Sequence, residues 1–206
     1  MRHVLLLTSA MALAGAYGCD GGGNMPMPDA GGGGVDAGEV TGECEVPTGG
    51  FGTSAGRSNL LPFTLQRCDG SMFEFYGEPE GYCDARFTVV VMSAGWCGPC
   101  RMEATAMQAA LVEAYGAQGV RVVSVLTQNN SYQAPDLDFC QGWKDQYGLT
   151  NDVMIDPSQM TQIYFPGNAL PANLIVDSHG VIRHREYGFS EALGTIRSEL
   201  DRLLAE

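Results

Sequence analysis

A cysteine pair that directly follows a buried strand constrains this chain more than any other feature. Residues 87–93 read FTVVVMS, a continuous run of mostly β-branched residues that is typical of a strand buried on both faces. The motif WCGPC follows at residues 96–100, and residues 99–115 have helical composition. The sequence therefore predicts a strand, a tight turn that carries the two cysteines, and a helix.

The position of the cysteines at a helix start has a chemical consequence. The first turn of a helix presents unpaired backbone N–H groups and the positive end of the helix dipole. A thiolate at Cys97 is stabilised there, so we expect the pKa of Cys97 to fall below the free value of about 8.5. Pro99 fits the first turn because it has no N–H to lose, and Cys100, one turn deeper, should be less exposed. This arrangement predicts a redox-active dithiol.

Strands and helices alternate along the rest of the chain. The predicted strands are residues 63–66, 72–76, 120–127, 153–155, 174–177 and 181–186. The predicted helices are residues 137–147, residues 158–164 and a final helix that Ser190 caps. Buried strands that alternate with helices predict an α/β fold, and the last two strands add antiparallel pairs to the sheet.

The N terminus resembles a bacterial lipoprotein signal. Arg2 precedes an apolar run over residues 4–16, which as a helix would be about 20 Å long and too short for a hydrocarbon core of about 30 Å. Cys19 follows small residues at the end of this run. We expect residues 1–18 to be a signal peptide and Cys19 to be lipidated. An ordinary signal peptide, with Cys19 incidental, is the alternative.

Residues 20–50 differ in composition from the remainder of the chain. They are rich in Gly and contain no Lys or Arg, so they cannot bury enough apolar surface to offset their ordering entropy. We expect residues 19–50 to form the lipidated cysteine and a flexible linker, and residues 51–206 to form one domain. The formal net charge of −13 argues against nucleic acid as a partner.

A second motif accompanies the cysteine pair. Residues 170–177 read LPANLIVD, and Gly180 follows. Together with WCGPC, this motif resembles the thioredoxin superfamily and, within it, the TlpA/ResA-like branch of membrane-anchored thiol-disulfide oxidoreductases. The resemblance covers about residues 57–206. It implies a thioredoxin-like fold, with a mixed central sheet flanked by helices on both faces and an added N-terminal strand pair.

The resemblance also implies roles for individual residues. Cys97 and Cys100 would be the catalytic redox pair, with Pro171 as a cis-proline beside them. In the family, the residue before this proline, here Leu170, pairs through its backbone with an extended substrate. The other residues that would shape the substrate surface are Trp96, Gly98 and Pro99.

Three further positions bear on proton transfer. Glu103 stands where the TlpA/ResA-like branch has an acidic residue that helps to move protons at the dithiol; an exposed helix glutamate is the alternative. Val91 replaces the buried aspartate of thioredoxin itself, and Thr105 replaces its helix-kinking proline. The proton chemistry of cytosolic thioredoxin therefore cannot be transferred unchanged.

Other uses of the cysteine pair fit less well. Zinc needs about four ligands, but the chain has no second Cys-x-x-Cys, and only His179 and His184 remain after signal cleavage. Haem attachment needs a histidine where Arg101 stands, and a purely structural disulfide here would cross-link little chain. A copper metallochaperone, which would want one more residue between the cysteines, and a non-catalytic binding module stay open. We expect no metal and no organic cofactor.

The four remaining cysteines predict two structural disulfides in an oxidising compartment. Four cysteines allow three pairings. We favour Cys68–Cys83, because these residues flank the predicted N-terminal strand pair, which leaves Cys44–Cys140. Free buried thiols and a second redox relay are the alternatives.

These observations predict a lipid-anchored thioredoxin of the bacterial cell envelope that exchanges disulfides with other proteins. Because Gly98-Pro99 matches the dipeptide of reducing thioredoxin, we favour a reductant over an oxidant. The expected partners are envelope proteins with reducible disulfides, a membrane thiol donor or acceptor, and the membrane itself through Cys19. The domain would face the periplasm or the outside.

Overall fold

The computed structural model describes residues 46–77 and 82–206. The strands are β1 (Thr64–Arg67), β2 (Met72–Glu74), β3 (Phe87–Ala94), β4 (Val120–Gln128), β5 (Asp152–Ile155), β6 (Ala172–Asp177) and β7 (Ile182–Tyr187). The α-helices are α1 (Gly98–Met107), α2 (Leu137–Tyr147) and α3 (Gly194–Leu204). The predicted signal peptide of residues 1–18, Cys19, Cys44 and most of the predicted linker lie outside the described residues. Within the described part, no helix is long and apolar enough to cross a membrane.

The strands form one mixed sheet of seven strands in the order β2-β1-β5-β4-β3-β6-β7. Its centre is parallel, because α1 and α2 return the chain from β3 to β4 and from β4 to β5. The flanking pairs are antiparallel: β1 with β2 and β5 on one side, β6 with β3 and β7 on the other. The predicted α/β fold with a mixed sheet and an added N-terminal strand pair is confirmed.

The sheet separates two apolar cores, which explains why every residue of β3 is buried. The core on one face takes its side chains from all three α-helices and contains both cysteines of the WCGPC motif. The core on the other face contains Phe63, Phe73, Phe75 and Tyr82 from the N-terminal region, together with Tyr164 from the 3-10 helix Met160–Tyr164. The α-helices thus pack on the first face, whereas the second face is covered by short 3-10 helices and an aromatic layer.

The first helix changes character along its length. The predicted helix of residues 99–115 is a regular α-helix only to Met107, and it continues as a π-helical turn over Gln108–Glu113. Leu111 and Tyr115 still pack into the core that contains the cysteines. The apolar side of this helical segment therefore continues past the regular α-helix.

The last helix begins later than predicted. Ala192 and Leu193 have φ values of 49° and 57°, in the left-handed region, and they interrupt the chain before α3 begins at Gly194. Ser190 is therefore not the residue that precedes the helix. Its hydroxyl still accepts a hydrogen bond from the Thr195 N–H at 3.2 Å, so it contacts the first turn across the interruption.

The predicted structural disulfides Cys68–Cys83 and Cys44–Cys140 are both wrong. Cys68 forms a disulfide with Cys140 of α2. The sheet order is the reason: β1 pairs with β5, and the Cys68 N–H donates to the Val153 carbonyl at 3.1 Å, which places Cys68 directly beside α2. Cys83 is also disulfide-bonded.

The outer edge of β7 runs beside the segment of residues 50–60. The Ile182 N–H donates to the Ser58 carbonyl, and Asn59 forms an antiparallel bridge with Val181. The Arg185 guanidinium donates to the Thr53 carbonyl at 2.8 Å. The chain thus covers the start of this edge of its own sheet.

Candidate active site

The candidate active site begins where β3 ends and α1 starts. Cys97 and Cys100 form a disulfide, and both are almost fully buried, Cys100 more so than Cys97. Cys97 precedes the first residue of α1, and its Sγ accepts the Cys100 N–H at 3.1 Å. Pro99 lies in the first turn, where no N–H is required of it. The predicted strand, turn and helix are therefore present.

Arg101 and Gly95 fix the turn that carries the dithiol. The Arg101 Nε and Nη2 atoms donate to the Gly95 carbonyl at 2.9 and 2.6 Å. A Cβ at Gly95 would lie 2.6 Å from the Phe139 ring and 2.8 Å from the Asn130 N atom, so only glycine fits. The turn is held by α1 from one side and by α2 and the loop after β4 from the other.

Trp96 forms one wall beside the dithiol. Its Nε1–H donates to the Gln128 side chain at 2.8 Å, and its ring stacks on Tyr132 at 5.0 Å between centroids. Tyr132 is 65% exposed and has a φ of 62°, which brings its ring back over Trp96. Neither Gln128 nor Tyr132 was identified from the sequence; an aromatic residue in the loop after β4 was the only available signal.

Pro171 lies at the same end of the sheet as the dithiol. The Leu170–Pro171 peptide bond is cis, as predicted. Ala172, the next residue, pairs with Met92 near the end of β3, and Leu170 packs against the core that contains both cysteines. The Leu170 N–H donates to the Asn168 carbonyl at 2.9 Å. The backbone N–H of Leu170 is therefore already hydrogen-bonded within the chain.

Glu103 is fully buried, so the alternative of an exposed helix glutamate is wrong. It lies one turn beyond Cys100 on the buried side of α1. The Asn173 Nδ2 donates to its Oε2 at 2.9 Å. Burial raises the pKa of Glu103 to about 7, with a smaller contribution from the charge on Glu186, while the Asn173 hydrogen bond opposes the rise.

Asn173 was not identified from the sequence, and its position is informative. It pairs across the sheet with Val91, the position where thioredoxin itself has a buried aspartate. The polar group is thus supplied by the neighbouring strand. An asparagine in the otherwise apolar run LPANLIVD was the signal that could have identified it.

The described residues contain no cluster of three or more His, Cys, Asp or Glu side chains arranged to hold a metal ion. A buried disulfide at the N terminus of a helix, beside a cis-proline on a thioredoxin-like sheet, is the arrangement of a thiol-disulfide oxidoreductase. Electrons are carried by the cysteines themselves in such a site.

Comparison with known proteins agrees with this class. The family model described as Redoxin matches residues 83–204, more than half of the chain. The protein belongs to the Redoxin family and, with it, to the thioredoxin superfamily. No curated protein matches the chain in sequence.

Solved structures with this fold include several bacterial redox proteins. A Chlorobium tepidum protein assigned as thiol:disulfide interchange protein DsbE is 20% identical, with a TM-score of 0.58, 71% of this chain covered and 95% of that one. DsbF of Mycobacterium tuberculosis is 19% identical, with a TM-score of 0.54, 68% of this chain covered and 94% of that one. StoA of Bacillus subtilis is 18% identical, with a TM-score of 0.52, 68% of this chain covered and 96% of that one. These likenesses confirm the thioredoxin-like fold.

Proposed function

We propose that this protein is a lipid-anchored, extracytoplasmic thiol-disulfide oxidoreductase that reduces disulfides in envelope proteins through Cys97 and Cys100. The observation that carries the proposal is the Cys97–Cys100 disulfide at the start of α1, with the Cys100 N–H directed at the Cys97 Sγ. In the reduced protein, that N–H and the helix N terminus would stabilise a thiolate on Cys97. A thiolate is the nucleophile in disulfide exchange.

The reaction is an exchange of one disulfide for another. The Cys97 thiolate attacks a substrate disulfide, which forms a mixed disulfide and releases one substrate thiolate. The Cys100 thiol loses its proton and attacks the Cys97 sulfur, which forms the Cys97–Cys100 disulfide and releases the second substrate thiolate. The electron pair passes from the protein dithiol to the substrate, and the released thiolates take up protons from solvent.

Glu103 is the group that accepts the Cys100 proton in this proposal. It is buried on the same side of α1 as Cys100, one turn further along. Its raised pKa of about 7 suits a group that takes up and returns a proton near neutral pH. Thr105 and Val91, where thioredoxin itself has other residues, offer no acid or base.

The substrate would lie across the exposed surface around the dithiol. Gly98 and Pro99 are exposed, and Trp96 is half-buried beside them. An extended peptide that passes this surface can donate a backbone N–H to the Leu170 carbonyl, next to Pro171. These residues would hold a substrate cysteine over Cys97, the less buried of the pair.

Reduction is favoured over oxidation by the Gly98-Pro99 dipeptide. Thioredoxin has a potential of about −270 mV, whereas the strong oxidant DsbA lies at about −120 mV. We expect the potential of this protein, measured by equilibration with glutathione, to lie nearer the first value. A membrane thiol donor would then return electrons to Cys97–Cys100.

Trapping of the mixed disulfide tests the proposal. In the full-chain variant Cys100→Ala, Cys97 can still attack a substrate disulfide, but no thiol remains to resolve the mixed disulfide. Envelope proteins should therefore accumulate as adducts on Cys97 that a reductant releases. The double variant Cys97→Ser/Cys100→Ala is the matched control and should capture none. Equal recovery of adducts from both variants, through another cysteine, would contradict the assigned roles.

A further inference from the structure

A row of polar side chains crosses the sheet beneath α1 and α3. Val91 of β3, Asn173 of β6 and Glu186 of β7 are register partners, so their side chains lie on one face. His184, two residues before Glu186 and opposite Ile175, lies on the same face, and the bulge in β7 falls next to it at Arg183. Glu103 of α1 closes the row through its hydrogen bond with Asn173. The row extends from the turn below Cys100 towards the edge strand.

The row contains most of the unsatisfied buried polar atoms in the described residues. Six buried side-chain atoms have no hydrogen-bond partner there, and four of them are Glu103 Oε1, Asn173 Oδ1, Glu186 Oε1 and His184 Nε2. Buried polar groups are nearly always hydrogen-bonded, because an unsatisfied one has lost its hydrogen bonds to water without replacement. Four such atoms in one row, next to a redox-active cysteine pair, indicate that the row has a functional role.

Charged side chains on β7, α3 and α1 lie next to this row of polar side chains. The Glu186 Oε2 lies 3.5 Å from the His184 Nε2 on the same strand, and this contact is an ion pair when His184 is protonated. From α3, Glu199 interacts electrostatically with His184 and forms an ion pair with Arg202 at 2.7 Å. On α1, the pKa of Glu103 is raised in part by the charge on Glu186.

Arg183, the residue at the bulge in β7, forms ion pairs with Asp177 and Glu206. Glu186 is therefore the charge next to Asn173 and Glu103. Its side chain is only 13% exposed, so solvent screens its charge weakly.

We propose that Glu186, the register partner of Asn173 on the sheet face beneath Glu103, is a positioning residue for proton transfer between Cys100 and Glu103. The inference rests on the proposed function and deepens it. When Cys100 attacks the mixed disulfide, its proton moves to the Glu103 carboxylate, the Cys97–Cys100 bond forms and the bond from Cys97 to the substrate breaks. The negative charge on Glu186 favours this uptake, because two neighbouring carboxylates resist being ionised together.

The test is the titration of Glu103 itself, in the oxidised full chain in detergent. Carboxyl carbon NMR follows the Glu103 side chain, assigned by comparison with Glu103→Gln. In Glu186→Gln we expect the Glu103 midpoint to fall from near 7 towards its ordinary value, by roughly half a pH unit or more. Glu186→Asp keeps the negative charge, so the midpoint of the Glu103 titration should stay close to that of the wild type. Glu74→Gln, an exposed glutamate on β2, is the matched control and should change nothing.

A second measurement follows the chemistry. The rate of dithiol oxidation by glutathione disulfide should fall below the Glu103 midpoint, and Glu186→Gln should move this acid limb to lower pH by the same amount. An unchanged Glu103 midpoint in Glu186→Gln, or in the neutral Glu186→Met if the first variant fails to fold, overturns the inference. Loss of exchange in every protein, with a shifted midpoint, would overturn the proposed function instead.

Discussion

At the scale of single residues, Glu103 lies in an environment that is unusual for a carboxyl group. Its carboxyl group is buried under α1, and its one hydrogen bond comes from Asn173. Burial favours the neutral form of a carboxyl group, which raises its pKa from 4.5 to about 7. The folded protein therefore binds this proton more tightly than the unfolded chain does.

The stability of the protein should consequently depend on pH through Glu103. Between about pH 4.5 and pH 7, the folded state holds a proton that the unfolded state has released, so this contribution to stability falls as pH rises. Glu103→Gln removes it. Between pH 4 and pH 8 the wild type should lose about 3 kcal/mol of unfolding free energy that Glu103→Gln does not lose. Denaturant unfolding of both oxidised proteins across this pH range measures the difference. A difference between the two proteins that does not vary with pH would contradict the assignment.

Part of the site was predictable at this scale and part was not. Cys97, Cys100 and Pro171 lie within contiguous motifs, so local sequence sufficed to place them. Glu103 and Asn173 meet only because α1 lies over the β3–β6 pair, seventy residues apart in the chain. No local pattern encodes such a contact, although the asparagine within an apolar strand was a sign of it.

At the scale of elements, the Cys68–Cys140 disulfide joins the end of β1 to α2. Strand positions followed from hydrophobic runs, but the pairing of these cysteines depends on β1 lying next to β5, far away in sequence. Proximity along the chain favoured Cys83 instead. The start of α3 was misplaced for a different reason, since the left-handed residues Ala192 and Leu193 have no signature that distinguishes them from helix.

Removal of the Cys68–Cys140 disulfide should lower stability without removing activity. It closes a separation of 72 residues, and such cross-links typically contribute about 2–4 kcal/mol. We expect the variant Cys68→Ala/Cys140→Ala to lose unfolding free energy in this range and still to exchange disulfides through Cys97, measured by denaturant unfolding and a thiol-exchange assay. Loss of exchange with unchanged stability would instead identify the pair as a second redox relay.

At the scale of the whole molecule, the proposal of a membrane anchor rests on Cys19, outside the described residues. In the full-length chain expressed in a bacterium, Cys19→Ser should move the protein from the membrane fraction to the soluble fraction, because acyl chains supply the membrane affinity. Incorporation of labelled fatty acid should be lost in the same variant. A variant that stays membrane-bound and labelled would show that the anchor lies elsewhere.

The segment beside β7 has a consequence for how copies of the protein behave together. The edge of a sheet is a template on which another chain can form a strand, and this is a common origin of fibrillar association. Here Gly56 and Ser58 already pair with Ile182 at the start of β7, and Asn59 bridges Val181 just before it. At the opposite edge, β2 is only three residues long. The covered start of β7 and the shortness of β2 should therefore both disfavour the addition of a strand from another copy of the protein.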